Sequence, residues 1–213
     1  MSTLMHIFRY QSLKKMKKIL ILLLFPVSLC AQQEILPPEI QIATAVLPLP
    51  EAERSTAMVY GYDPEGQLVV LRPSDKGMIC IADDPTKEGI HVACYAVSLE
   101  PFMKRGRELL AAGHTESEKR EIRKQEAESG VLKMPEKPAM TYVMTGSEEK
   151  YDRTTGALAD GKLRYVIYIP YATTESTGLP ASPHAPGMPW LMDPGTHRAH
   201  IMVTPPSGQQ KAE

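Results

Sequence analysis

TAMVYGYDPEGQLVVLR, residues 56–72, is the stretch whose reading decides the fold class. Its two arms are rich in Val, Tyr and Leu, the residues that suit a pleated, half-buried surface. Between them Asp63-Pro64-Glu65-Gly66 places Asp first, Pro second and Gly last, the chemistry of a type I turn. The segment therefore reads as an antiparallel hairpin. Working outward, GMICIA (77–82) and IHVACYAV (90–97) are two further strands joined around Asp83-Asp84-Pro85. Short strands at this spacing predict an antiparallel sheet. Cys80 and Cys94 fall near the middles of these two strands. An isolated pair is most simply a disulfide, worth about 3 kcal/mol by chain entropy. Redox dithiols sit closer together, and metal-binding cysteines cluster with more partners.

Beyond Val97 the apolar period changes. Ser98 is a plausible N-cap, and Leu99, Phe102, Met103, Leu109 and Leu110 line one helical face, with Pro101 tolerated in the first turn. Gly113 stops that helix. Thr115 and Glu118 form a T-x-x-E capping box that opens a second helix to about Ser129, closed by Gly130. This second helix, ESEKREIRKQEAES, offers only Ile122 and Ala127 for apolar contact, so it reads as a solvated helix laced with ion pairs. Strand-like sequence resumes at Thr141–Met144, at Leu163–Tyr171 and at His197–Thr204. Along Leu163–Tyr171 the alternation puts Tyr165 and Tyr168 on opposite faces. The expectation is an α+β domain over residues 51–213: an antiparallel sheet of about six short strands with an inserted helical hairpin. Residues 32–50, with Pro37, Pro38, Pro48 and Pro50, read as an extended lead-in carrying one edge strand at Gln41–Leu47.

Residues 16–31, MKKILILLLFPVSLCA, have a basic start at Lys17 and Lys18, an apolar run from Ile19 to Leu29, and a small residue at Ala31. That is the anatomy of a secretory signal peptide cut after Ala31, with residues 1–15 an upstream extension and Met16 the natural start. The apolar run is about half of what a spanning helix needs, so no stable membrane span is expected after cleavage. The expected location is periplasmic or secreted. A lipid anchor on Cys30 is the alternative, disfavoured because Leu29 is too large for a lipobox. Residues 1–31 hold five of the 24 basic residues and none of the 25 acidic ones. The remaining 182 residues thus carry 19 basic against 25 acidic groups, a net charge of −6. Such a field does not draw a chain to nucleic acid.

Polar chemistry concentrates in PHAPGMPWLMDPGTHRAHIMVTP, residues 183–205, at the end of an aperiodic, Pro-rich segment running from Ala172 to Thr196. Taken as a strand, Ala199, Ile201 and Val203 point into the core, while Arg198, His200 and Met202 point the other way. Imidazole and thioether side by side suit copper, with thioether favouring Cu(I). Met188, Met192 and His184 are the residues that would complete such a site. The His-x-Met pair is similar to the C-terminal half of the periplasmic copper-chaperone motif, whose upstream His-Met is absent here. Asp193, His197 and His200 are the residues a small zinc-dependent hydrolase would use. A third possibility is anion or small-molecule binding by Arg198, His200 and Tyr168, with Trp190 nearby and the Pro-rich loop as a lid.

Gly77-Met78-Ile79-Cys80, Asp83, Pro85, Cys94, Tyr168-Ile169-Pro170, Pro189-Trp190-Leu191-Met192 and Gly195-Thr196-His197-Arg198-Ala199-His200-Ile201-Met202 together resemble a group of uncharacterised secreted bacterial proteins. The resemblance covers about Gly77 to Pro205. It implies an exported, disulfide-bearing domain and no catalytic role. The leading expectation is a non-enzymatic ligand-binding or structural domain, with copper binding and metal-dependent hydrolysis as alternatives.

Overall fold

The structure is a computed structural model that describes residues 34–206. The leader-like segment 1–31, with Cys30, lies outside the described residues. The chain forms one eight-stranded sheet with helices inserted between its strands. Strands are β1 (Met58–Tyr62), β2 (Leu68–Arg72), β3 (Met78–Ile81), β4 (Ile90–Ala96), β5 (Ala139–Gly146), β6 (Lys162–Tyr168), β7 (Trp190–Met192) and β8 (His200–Val203). Their order across the sheet is β2-β1-β3-β4-β5-β6-β8-β7. The α+β class stands, but the sheet has eight strands rather than six and is mixed. β1 and β3 run parallel, because β2 folds back outside β1 and leaves its other edge to β3.

The β1–β2 turn forms as its residues dictate. Gly66 N–H donates to the Asp63 carbonyl at 2.9 Å, and the Asp63 carboxylate accepts from the backbone N–H groups of Glu65 and Gln67. Cys80 and Cys94 are directly opposed in the β3–β4 register and are joined as a disulfide. Between β4 and β5 the chain makes the helical hairpin, α3 (Glu100–Ala111) and α4 (Glu116–Glu128). A 3₁₀ turn, Val97–Leu99, leads into α3 in place of a Ser98 cap. The Thr115–Glu118 capping box closes in both directions.

The lead-in departs from the extended reading. Pro38–Ala45 is a helix, α1, followed by a single turn, α2 (Glu51–Arg54). Pro38 at the first helical position has a φ already suited to the helix, and the N–H it lacks would be unpaired there anyway. Tertiary contacts complete the override. The Gln41 side-chain amide donates to the Leu36 and Tyr62 carbonyls and accepts from Tyr62 N–H, clipping α1 to the end of β1. Ala45, Val46 and Leu49 then bury against Val59, Cys80 and Cys94 on one face of the sheet. The opposite face packs Ile79, Tyr95, Leu99 and Ala139 beneath α3. No helix among the described residues is long and apolar enough to cross a membrane.

Candidate functional site

The site is built where the helical hairpin lies across β5, β6 and β8. Register places Tyr168 opposite Ala139 on one side and His200 on the other, and Val166 opposite Thr141 and Met202. Tyr168, His200, Thr141 and Met202 therefore share the face that the hairpin covers. Phe102 of α3 drops onto this row, its ring 5.9 Å from Tyr168 and 5.9 Å from His197. Tyr168 and His200 lie 5.1 Å apart and 30° from parallel.

Arg123 enters from α4. Its guanidinium sits 3.9 Å over the Phe102 ring, and Nη1 donates to the Phe102 carbonyl at 3.1 Å. A glycine beneath leaves room for this crossing, since a Cβ on Gly106 would stand 2.9 Å from Arg123 Nη1 and would press the guanidinium from its present position. α4 is thus not merely a solvated helix: it buries Arg123 and Ala127, while Ile122 is half-buried. On the outer side Arg105 grips Glu126 with both Nε and Nη2, which holds the two helices together.

The C-terminal stretch supplies the rest. β8 begins at His200, so His197 and Arg198 belong to the preceding turn and not to the strand. That turn is tied to the end of β6 by backbone bonds from Tyr171 N–H to the Thr196 carbonyl and from Gly195 N–H to the Ala172 carbonyl, both 2.7 Å. Tyr171 and Asp193, on either side of it, are the non-glycine residues with positive φ among the described residues, at 63° and 54°. The expected solvent side of the strand is in fact the covered side. His200 and Met202 are 5% and 8% exposed, whereas Ile201 and Val203 are half-buried. The reason is the hairpin, which roofs the face carrying Tyr168 and His200.

Five buried side-chain atoms among the described residues have no hydrogen-bond partner within the protein: Arg123 Nε, Thr141 Oγ1, Asp193 Oδ2 and both ring nitrogens of His197. They belong to the covered face of β5, to the hairpin above it and to the Asp193–Arg198 turn beside it. Arg198 Nη2 lies 3.2 Å from Asp193 Oδ2, close enough for an ion pair but out of line for a hydrogen bond. Burial holds His197 and His200 below the ordinary imidazole value, and Arg198 and Arg123 add like-charge repulsion at His197. Burial also pushes the Tyr168 hydroxyl up against the opposing pull of Arg198 and Arg123, and lowers Arg123 to about 10. His200 Nδ1 is 2.6 Å from the Arg198 carbonyl, which places the ring proton on that nitrogen.

The sequence-predicted residues divide accordingly. Tyr168, Arg198 and His200 come together. Trp190 and Met192 of β7 pair with Met202 and His200. His184 and Met188 are exposed and, with Trp190, line an open groove of about 730 Å³ beside the last strands. Asp193, His197 and His200 do not assemble into a set able to hold a metal ion among the described residues. Arg123, Phe102 and Thr141 were not predicted. The one sequence signal for them is Gly106, a glycine inside a helix, which costs about 1 kcal/mol relative to Ala unless something approaches closely. No family model, curated protein or solved structure matches the chain.

Proposed function

We propose that this is an exported, non-enzymatic binding domain that holds a small carboxylate anion between the helical hairpin and strands β5, β6 and β8. The observation that carries the reading is the buried guanidinium of Arg123, whose Nε is unpartnered and whose Nη1 goes to a backbone carbonyl, with further unpartnered buried polar atoms on β5 and in the Asp193–Arg198 turn. A buried cation without a matching anion is costly, and leaving donors unpaired adds to that cost. An anion supplies counter-charge and an acceptor for Arg123 Nε. Asp193 pairs with Arg198, Glu116 acts on Arg123 and Glu128 on His197, and burial disfavours the charged form of both imidazoles. Arg198 stands at the half-exposed rim, the side from which an anion would enter. Export is supported by the leader-like residues 16–31 and by the cysteine pair, since disulfides persist in oxidising compartments.

Calorimetric titration of the oxidised protein with succinate tests the reading. We expect saturable binding at one site and at least about tenfold weaker binding in Arg198→Gln. Absence of binding, or equal affinity in the variant, removes the proposal.

A second reading rests on the orientation of His200. With Nδ1 held by the Arg198 carbonyl, Nε2 is left as the ligating nitrogen, and register sets Met192 opposite with Met202 two residues on. Those three residues would suit Cu(I). Titration with Cu(I) separates the readings, because Met202→Leu removes thioether binding and leaves the anion site intact.

A further inference from the structure

The helical hairpin does not cover its whole face of the sheet. Beyond the end of α3 lies an open groove of about 840 Å³, between α3, the β1–β2 hairpin and strands β3 and β4. That volume is in the range of small-molecule sites, roughly 300–1,000 Å³. Register makes Tyr60, Ile81 and Ala93 one row across β1, β3 and β4. Ala93 contributes only a methyl group where its neighbours carry large side chains, which leaves room at the β4 end of the floor. Leu110 of α3 stands over it and is 38% exposed.

The wall is built and electrically quiet. Glu100 accepts from the Tyr60 hydroxyl at 3.1 Å and from the Tyr95 hydroxyl at 2.6 Å. Arg107 donates to Glu100 at 2.8 Å and to the Tyr95 oxygen at 2.9 Å, and lies 4.7 Å over the Tyr60 ring. The charges of Glu100 and Arg107 cancel within this network. At the rim Lys87 is tied to Asp84 at 3.1 Å. Lys104 is different. Its ammonium is 3.9 Å from Glu108, whose carboxylate is shared with Arg105 at 3.6 Å, and its side chain is 63% exposed. The rim of this apolar hollow thus carries one loosely committed cation.

We infer that the groove is a second binding site, for an amphipathic carboxylate whose chain lies on Tyr60, Ile81 and Ala93 under Leu110 and whose head meets Lys104. The site is separate from the polar cluster beneath the hairpin and does not depend on it. Decanoate is the probe, titrated calorimetrically below its micellar concentration against the oxidised protein. Saturable binding is expected, weakened about fivefold in Lys104→Glu and about tenfold in Leu110→Asp. Both side chains are exposed enough for the variants to fold, and an unchanged melting temperature verifies it. If one variant does not fold, the other decides. Saturating succinate should leave decanoate affinity unchanged. Absence of decanoate binding overturns the proposal, as does equal affinity in a folded variant. Competition by succinate overturns it too, by placing both ligands in one site.

Discussion

Buried ionisable side chains give this protein a two-sided pH response. His197 and His200 are held below their ordinary value by burial, so the unfolded chain binds protons that the folded one refuses. Their contribution to stability is complete above about pH 6.5 and is lost as pH falls through the folded values. Asp83 works in the opposite sense. Burial raises it to about 6, while the His91 N–H that donates to it at 2.6 Å pulls the other way. Its contribution is complete below the unfolded value and is lost as pH rises through about 6. Asp83→Asn keeps an acceptor for His91 N–H and removes the charge. The variant should melt higher than the parent at pH 7.5 and level with it at pH 4, as read by thermal scans across that range. Tyr168, Arg198 and His200 were legible in the sequence because strand alternation alone puts Tyr168 and His200 on definite faces. Arg123 was not, since on a helix of mixed charge nothing distinguishes the one arginine that turns inward.

At the scale of elements the hairpin depends on a close approach. Arg123 passes over α3 at Gly106, and a Cβ there would meet its Nη1 at 2.9 Å. Gly106→Leu should displace the seated guanidinium. It should cost about 2–3 kcal/mol in urea denaturation and should abolish succinate binding without disturbing the sheet's far-ultraviolet signature. The hairpin itself was readable, because capping residues and a 3.6-residue period are local signals. Two other elements were not. β7 is three residues long, too short for an alternating pattern, and is defined only by its pairing with β8. α1 carries prolines that fit an extended chain as well as a helix start, and contacts with β1 and the disulfide, far off in sequence, decide between them.

For the molecule as a whole, the sheet is stitched at its middle. Cys80 and Cys94, 14 positions apart, close a loop across neighbouring strands. Replacing both with Ala should lower stability by about 3 kcal/mol, measured by denaturant midpoint under oxidising conditions. The α+β class and the inserted hairpin could be read from the chain. The strand count and the parallel β1–β3 pair could not, because which strand lies beside which is a property of the assembled sheet.

Both cysteines are fully buried, with Ala45 and Val46 at the end of α1 and Leu49 just beyond packed over them. This sets an order of events. The thiols must meet an oxidant before α1 docks, because afterwards no reagent reaches them. In the finished protein the same cover acts as a clock: thiol exchange proceeds only as often as α1 lifts away. The rate at which a reductant cleaves the bond, once it no longer rises with reductant concentration, is then the lifting rate of that one helix.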